Sequence, residues 1–298
     1  MLPILGLGFF ALQMDRINIG NAMTDTITLD LGITTNEINV GNQLLSAGII
    51  LLEIPSNILL QRWGAQRWLS AQVFAFSLVA TFQGFIKNYP SFLATRFILG
   101  CCESGYIPGS LYTLSTWYKR GETSLRVSLF FVGNLLAAAT VSLIGGGILT
   151  LSGLHRIAGW RWLFFIEGTI TIVFATIIAC FFPKRPDDPT IMLSGNKWGF
   201  FTEREKYTAV ARVLLDDPAK ANGQIDIKGS DLWGTLNNSR IWLHVLICLL
   251  SDIPVNSLQT YSPSIIKSLG FNPVAANALN SVPLFIAIIL ILCLSKLS

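Results

Sequence analysis

A hydrocarbon core about 30 Å thick is crossed by about 20 apolar residues of helix, and runs of that length recur through this chain. They fall at about 2–22, 40–61, 68–86, 91–115, 127–151, 162–182, 241–262 and 274–294. A soluble core has no use for so many. Only 13% of the residues are charged and 52% are hydrophobic, against about 25% charged in a soluble domain. The pattern predicts an all-α polytopic membrane protein.

The basic residues set the orientation, because Lys and Arg are retained on the cytoplasmic side during insertion. Fifteen fall on the side of Arg62, Lys119 and the long polar segment, four on the side of Lys87, Arg156, Arg161 and Lys267. The long segment is therefore expected inside. The predicted organisation is a six-helix lobe over 1–182, a cytoplasmic central loop over 183–240, and a partial second lobe of two helices over 241–298. Four further spans would complete a two-lobed transporter, and both ends look cut from a longer sequence. MLPILGLGFF has no basic n-region and no small-residue cleavage site, so it reads as a retained helix, not a signal peptide. Within the central loop, Thr202 and Glu205 form a capping box before Tyr207, Val210, Val213 and Leu214 at helical spacing.

Several function classes are excluded. The net charge of +4 is dispersed among loops without interleaved aromatics, which does not fit nucleic acid. Cys101, Cys102, Cys180, Cys248 and Cys293 lie in apolar segments without metal-ligand spacing and read as small hydrophobes. No nucleophile and base constellation or phosphate loop stands out, and His155 and His244 are isolated. Neither an enzyme nor a bound cofactor or metal is expected.

Chemistry concentrates in the charges inside the spans. An ionisable group near the bilayer centre costs about 2.5–3.5 kcal/mol even on the lenient insertion scale. Asp15, Arg16, Glu53, Arg96, Glu103, Glu167 and Asp252 are such groups. Counting 1.5 Å per residue along antiparallel spans puts Arg16 and Glu103 within about two turns of each other in depth, and Arg96 about 10 Å further out on the face of Glu103. Two readings stay open. Arg16 and Glu103 form a fixed interhelical strut, with Asp15 paired to another helix; or Arg16 binds an anion bidentately while Asp15 and Glu103 carry protons.

Asn18, Gln43 and Asn134 are further candidate substrate ligands. So are Asp252 and Asn256, in SDIPVNSLQTYSP, where Pro254 and Pro263 free backbone groups. Glu53, Arg62, Gly64 and Arg96 are candidate gating residues, since EIPSN runs directly into the turn QRWGAQRW. Glu167 follows GWRW and is expected to pair with Arg161. Gly105, Pro108 and Gly109 mark a hinge in the fourth span.

The segments MDRINIGNA (14–22), EIPSNILLQRWGAQRW (53–68), RFILGCCESGYIPG (96–109), GWRWLFFIEG (159–168) and YSPSIIKSLGF (261–271) resemble, in order and nearly end to end, the major facilitator superfamily. The likeness is closest to the fungal allantoate permease branch of the anion:cation symporter family. The resemblance implies a twelve-helix fold of two lobes, plasma-membrane residence and proton-driven uptake of small organic anions such as allantoate, nicotinate or pantothenate. It also implies coupling and anion binding at the positions of Asp15, Arg16 and Glu103. The cytoplasmic turn departs from the superfamily pattern: Asn57 replaces its first glycine and Gln61 its aspartate. The expectation is a symporter powered by the proton gradient, with an organic anion, a proton and the bilayer as partners. The competing expectation is a transport-incompetent fragment or nutrient sensor.

Overall fold

The computed structural model describes residues 1–192, 201–217, 233–235 and 237–295; the side chains of 252, 254–257, 259–260 and 291–295 lie outside the described residues. The chain is nearly all helical: α1 (Leu2–Ala22), α2 (Ile27–Leu31), α3 (Thr35–Trp63), α4 (Ala65–Phe82), α5 (Tyr89–Glu103), α6 (Tyr106–Trp117), α7 (Arg120–Leu149), α8 (Gly159–Phe181), α9 (Glu203–Asp216), α10 (Ser239–Ser268) and α11 (Pro273–Ser295). Among the described residues, five helices are long and apolar enough to cross a membrane: Thr35–Trp63, Ala65–Phe85, Arg120–Leu149, Gly159–Phe181 and Pro273–Leu290. Interrupted by Asp15, Arg16 and Asn18, α1 is not one of them.

Side-chain chemistry sets the helix ends. The Thr34 hydroxyl accepts from the Glu37 amide while Glu37 reaches back to the Thr34 amide, starting α3 with a capping box. Gly64, at φ +84°, alone separates α3 from α4. That is the tight bend expected at this glycine, in a conformation a side chain would strain. The predicted capping box of Thr202 and Glu205 likewise starts α9.

Two differences from the sequence reading concern span integrity. The fourth apolar run is not one helix. It breaks after Glu103, where Ser104 leaves helical geometry at φ −57°, ψ 128° and Gly105 takes φ +77°, giving α5 and α6. The break is held by polar bonds from two other helices: Ser56 Oγ donates to Ser104 O at 2.7 Å, Gln72 Nε2 donates to the same carbonyl at 2.5 Å, and Trp68 Nε1 donates to Ser56 Oγ at 3.0 Å. The second difference is α2, a short helix between the first and second apolar runs. Its Asp30 accepts the Trp160 indole at 2.7 Å, and Asp25 accepts the Trp160 amide at 2.8 Å.

The first six spans form one bundle in which α3 packs on α5, α4 on α8, and α1 on α7 and α8. Glycines permit the closest approach: a Cβ on Gly100 would lie 2.1 Å from Leu45 O, and one on Gly48 would lie 2.7 Å from Phe97 O. The buried apolar side chains form two clusters. One, with Leu5, Phe9, Leu12, Phe76, Tyr106 and Ile178, sits towards the end bearing most bases. The other, with Ile19, Ile38, Phe92, Trp160 and Phe164, sits towards the opposite end.

Beyond the bundle, α10 packs on α1 and α11 on α7. Their polar contacts gather near the end opposite the bases. Lys267 Nζ donates to Thr24 O at 2.8 Å, Asn277 Nδ2 to Thr24 Oγ1 at 3.0 Å, and Asn280 Nδ2 to Ser142 Oγ at 3.1 Å. At the basic end α9 grips α7. Asp216 accepts the Arg120 amide at 2.8 Å, capping α7 from outside, and Arg212 meets Glu122 at 3.3 Å.

Candidate functional site

Asp15, Arg96 and Glu167 follow from where their helices cross the gap between the two apolar clusters, while Glu103 lies at the edge of the cluster nearer the basic end. On α1, Leu12 belongs to one cluster and Ile19 to the other, and Asp15, Arg16 and Asn18 fall between. On α5, Arg96 lies between Phe92 and Leu99; on α8, Glu167 and Thr171 lie between Phe164 and Ala175. Three helices thus bring polar groups to a common layer.

Of the two readings left open for Arg16, the contact that the strut requires between α1 and α5 is present. Arg16 Nε donates to Glu103 Oε2 at 2.6 Å, with the arginine side chain 28% exposed and the glutamate side chain fully buried. Glu103 Oε1 has no hydrogen-bond partner among the described residues. The contact is a charge-assisted bond with one end open to the interior face of the bundle.

Arg96 was read as a gating residue nearer the surface. It is fully buried, its three guanidinium nitrogens make no hydrogen bond among the described residues, and it lies 5.5 Å over the Phe92 ring. Asp15 and Glu103 are the acids within its electrostatic reach. Asp15 is also buried, with Oδ2 unpartnered, and Glu103, Glu167 and Arg96 are charged groups within its electrostatic reach. Asn18, also buried, leaves Oδ1 without a partner.

Glu167 corrects the sequence reading. It does not pair with Arg161, whose guanidinium donates to Gly84 O at 3.4 Å and Ile86 O at 3.1 Å and lies 4.7 Å over Trp160. Six residues apart on a helix, the two side chains diverge to different faces. Glu167 is 1% exposed and both its carboxyl oxygens lack a hydrogen-bond partner among the described residues. Helical phase was the signal that could have found it.

The remaining candidates lie elsewhere. Gln43 is exposed on α3 and Asn134 half-buried on α7, and neither is among the buried charges. Glu53 is half-buried, and its carbonyl accepts Asn57 Nδ2 at 2.9 Å; Arg62 is exposed beside Gly64 at the basic end. Asp252 and Asn256 fall on α10, but their side chains lie outside the described residues. Among the described residues no cluster of His, Cys, Asp or Glu could hold a metal ion.

The described helices enclose an interior whose chemistry is acid and base, the setting expected where a helical bundle crosses a membrane. The model of the Major Facilitator Superfamily matches residues 5–298, and the chain belongs to that family. It is similar to an uncharacterized transporter of Saccharomyces cerevisiae, 30% identical over 91% of this chain and 50% of the relative. It also resembles a putative tartrate transporter of Agrobacterium vitis, 26% identical over 97% of this chain and 61% of the relative. The chain therefore spans between half and three-fifths of the length of these two relatives. Among solved structures, the partially occluded inward-open xylose transporter XylE of E. coli superposes with a TM-score of 0.68 at 14% identity, covering all of this chain and 73% of that one. The fold is the major facilitator fold, and among the described residues five helices are long and apolar enough to cross a membrane.

Proposed function

We propose that the protein is a proton-coupled symporter of small organic anions, of the allantoate permease branch, working in the plasma membrane by alternating access. The observation that carries this reading is the Arg16–Glu103 contact: a buried carboxylate bonded through one oxygen to a guanidinium that is 28% exposed. In this reading residues 1–182 form one lobe, 183–240 a cytoplasmic loop and 241–298 the start of the second lobe, with the basic end inside. Asn18 lines the path of the anion, and the sequence assigns Asp252 and Asn256 to the same role from the second lobe.

Glu103 and an anionic substrate compete for Arg16. When Glu103 takes a proton, its claim on the guanidinium weakens from a charge-assisted to a neutral hydrogen bond, roughly halving its strength. The substrate carboxylate then docks on Arg16, bidentately where geometry allows. Anion and proton enter together, and loss of the proton returns Glu103 to Arg16 and expels the anion. A relative that carries tartrate in its name agrees with a carboxylate as cargo.

Uptake of labelled carboxylates into vesicles carrying the protein tests this. Arg16→Ala is expected to abolish uptake, and Glu103→Gln to keep exchange while losing accumulation driven by a proton gradient. Unchanged proton-driven uptake in both variants would sink the mechanism.

A further inference from the structure

One buried guanidinium, Arg96, and one part-buried, Arg16, share the layer of three buried carboxyls, Asp15, Glu103 and Glu167, and these three are the buried acids among the described residues. With every group ionised the cluster carries one uncompensated negative charge in a low-dielectric interior. An unpaired buried charge costs several kcal/mol, so a proton on one carboxyl is the cheaper state. Geometry says which carboxyls compete for it. Glu103 already holds Arg16 at 2.6 Å, whereas Glu167 has no hydrogen-bond partner on either oxygen and Asp15 none on Oδ2.

Glu167 and Thr171 are four residues apart and so share one face of α8. Asp15, Glu167 and Thr171 are all buried in the layer between the two apolar clusters, and α1 packs on α8 there; Asp15 lies within electrostatic reach of Glu167, so that face is the one turned to α1. Close packing keeps it there, for a Cβ on the next residue, Gly168, would lie 2.3 Å from Thr81 Oγ1 of α4. No other element packed on α8 supplies a charge at this depth. The charges of α4 and α7 are Arg67 and the group Arg120, Glu122 and Arg126, all near the basic end, and residues 127–149 and 68–82 contain none. On α8 itself Arg161 is committed to backbone carbonyls. From α1 and α5 come Asp15, Arg16, Arg96 and Glu103.

We propose that Asp15 and Glu167 hold a single proton between them across the α1–α8 contact, making Glu167 a proton-holding residue of the transport cycle. The pair exists as one carboxylic acid and one carboxylate. When the proton departs, two carboxylates face each other, and the excess negative charge opposes an incoming anion. This rests on the proton-coupled reading above.

Infrared difference spectroscopy of the purified, reconstituted protein at neutral pH tests it. The wild type should show the carbonyl stretch of a protonated carboxylic acid, shifting on deuterium exchange. That band should vanish in Glu167→Gln and in Asp15→Asn, where two acids balance two arginines, and persist in Glu167→Asp. Should the Gln variant not yield a monodisperse protein, Asp15→Asn carries the same comparison. No band in the wild type, or a band surviving in Glu167→Gln or Asp15→Asn, overturns the proposal. The two readings fail separately: proton-driven uptake with a surviving band removes the pair alone, whereas a band that behaves as expected without proton-driven uptake removes the symport alone.

Discussion

Replacing Gly100 by alanine tests the contact that positions Glu103. A Cβ at Gly100 would lie 2.1 Å from the backbone oxygen of Leu45, whereas ordinary carbon–oxygen contacts begin at about 3.3 Å. Because the obstacle is backbone and not the tip of a side chain, α3 and α5 must separate by about 1.2 Å, the difference between those distances. Overpacking of this kind costs about 1–3 kcal/mol. Glu103 lies three residues further along α5, and its 2.6 Å bond to Arg16 would lengthen beyond hydrogen-bond range if the shift reached it. Misplacing a reacting group by about 1 Å can cost on the order of 100-fold in rate. Gly100→Ala should therefore lower the melting temperature of the purified protein by several degrees and reduce the anion uptake proposed above by one to two orders of magnitude. Gly48→Ala, which meets Phe97 O from the facing helix, should do the same. Gly133→Ala is the control, since nothing lies within 4 Å of its added Cβ. If Gly100→Ala behaved like Gly133→Ala in both assays, the close α3–α5 contact would not position the site.

Three other outcomes follow from particular contacts. Gln72→Leu removes two donors from the break in the fourth span and should cost about 1–3 kcal/mol, read as a lower melting temperature; an unchanged value would show that the break needs no side-chain support. Lys267→Ala combined with Asn277→Ala removes both bonds to Thr24, together worth about 1–3 kcal/mol. Spin labels at Leu29 and Leu269 should then report a longer distance in a larger fraction of molecules, and an unchanged distribution would mean that these bonds do not hold the ends together. At α9, bonds from the Thr202 backbone and side chain hold Glu205 below the usual glutamate range. Its contribution is present at neutral pH and is lost as pH falls through that lowered value. Amide exchange in the first turn of α9 should accelerate at acid pH in the wild type and not in Glu205→Gln.

The apolar periodicity made the span order legible because burial in a bilayer demands about 20 apolar residues each time. The contact between Arg16 and Glu103 was legible too, since depth along antiparallel helices is arithmetic. What depth does not give is azimuth. Glu167 shares a layer with Asp15, yet only its helical phase separates it from Arg161, and proximity in sequence favoured the wrong partner. The break at Ser104 was half visible: Gly105 permits the positive φ, but the polar groups fixing the break, Ser56 and Gln72, come from residues 48 and 32 positions away. Such convergence leaves no mark in a single segment. Gln43 and Asn134 looked like ligands by type alone.

The broken fourth span touches α1 on both sides of its break. Below it, Tyr106 donates its hydroxyl to Leu5 O at 3.1 Å; above it, Glu103 holds Arg16. These two grips lie eleven residues apart on α1, about 16 Å along the axis. Tyr106 has no charge to lose at ordinary pH, whereas Glu103 has. The two grips on α1 therefore differ in kind: the one at Leu5 is a neutral hydrogen bond, and the one at Arg16 is the contact whose strength a proton on Glu103 would change.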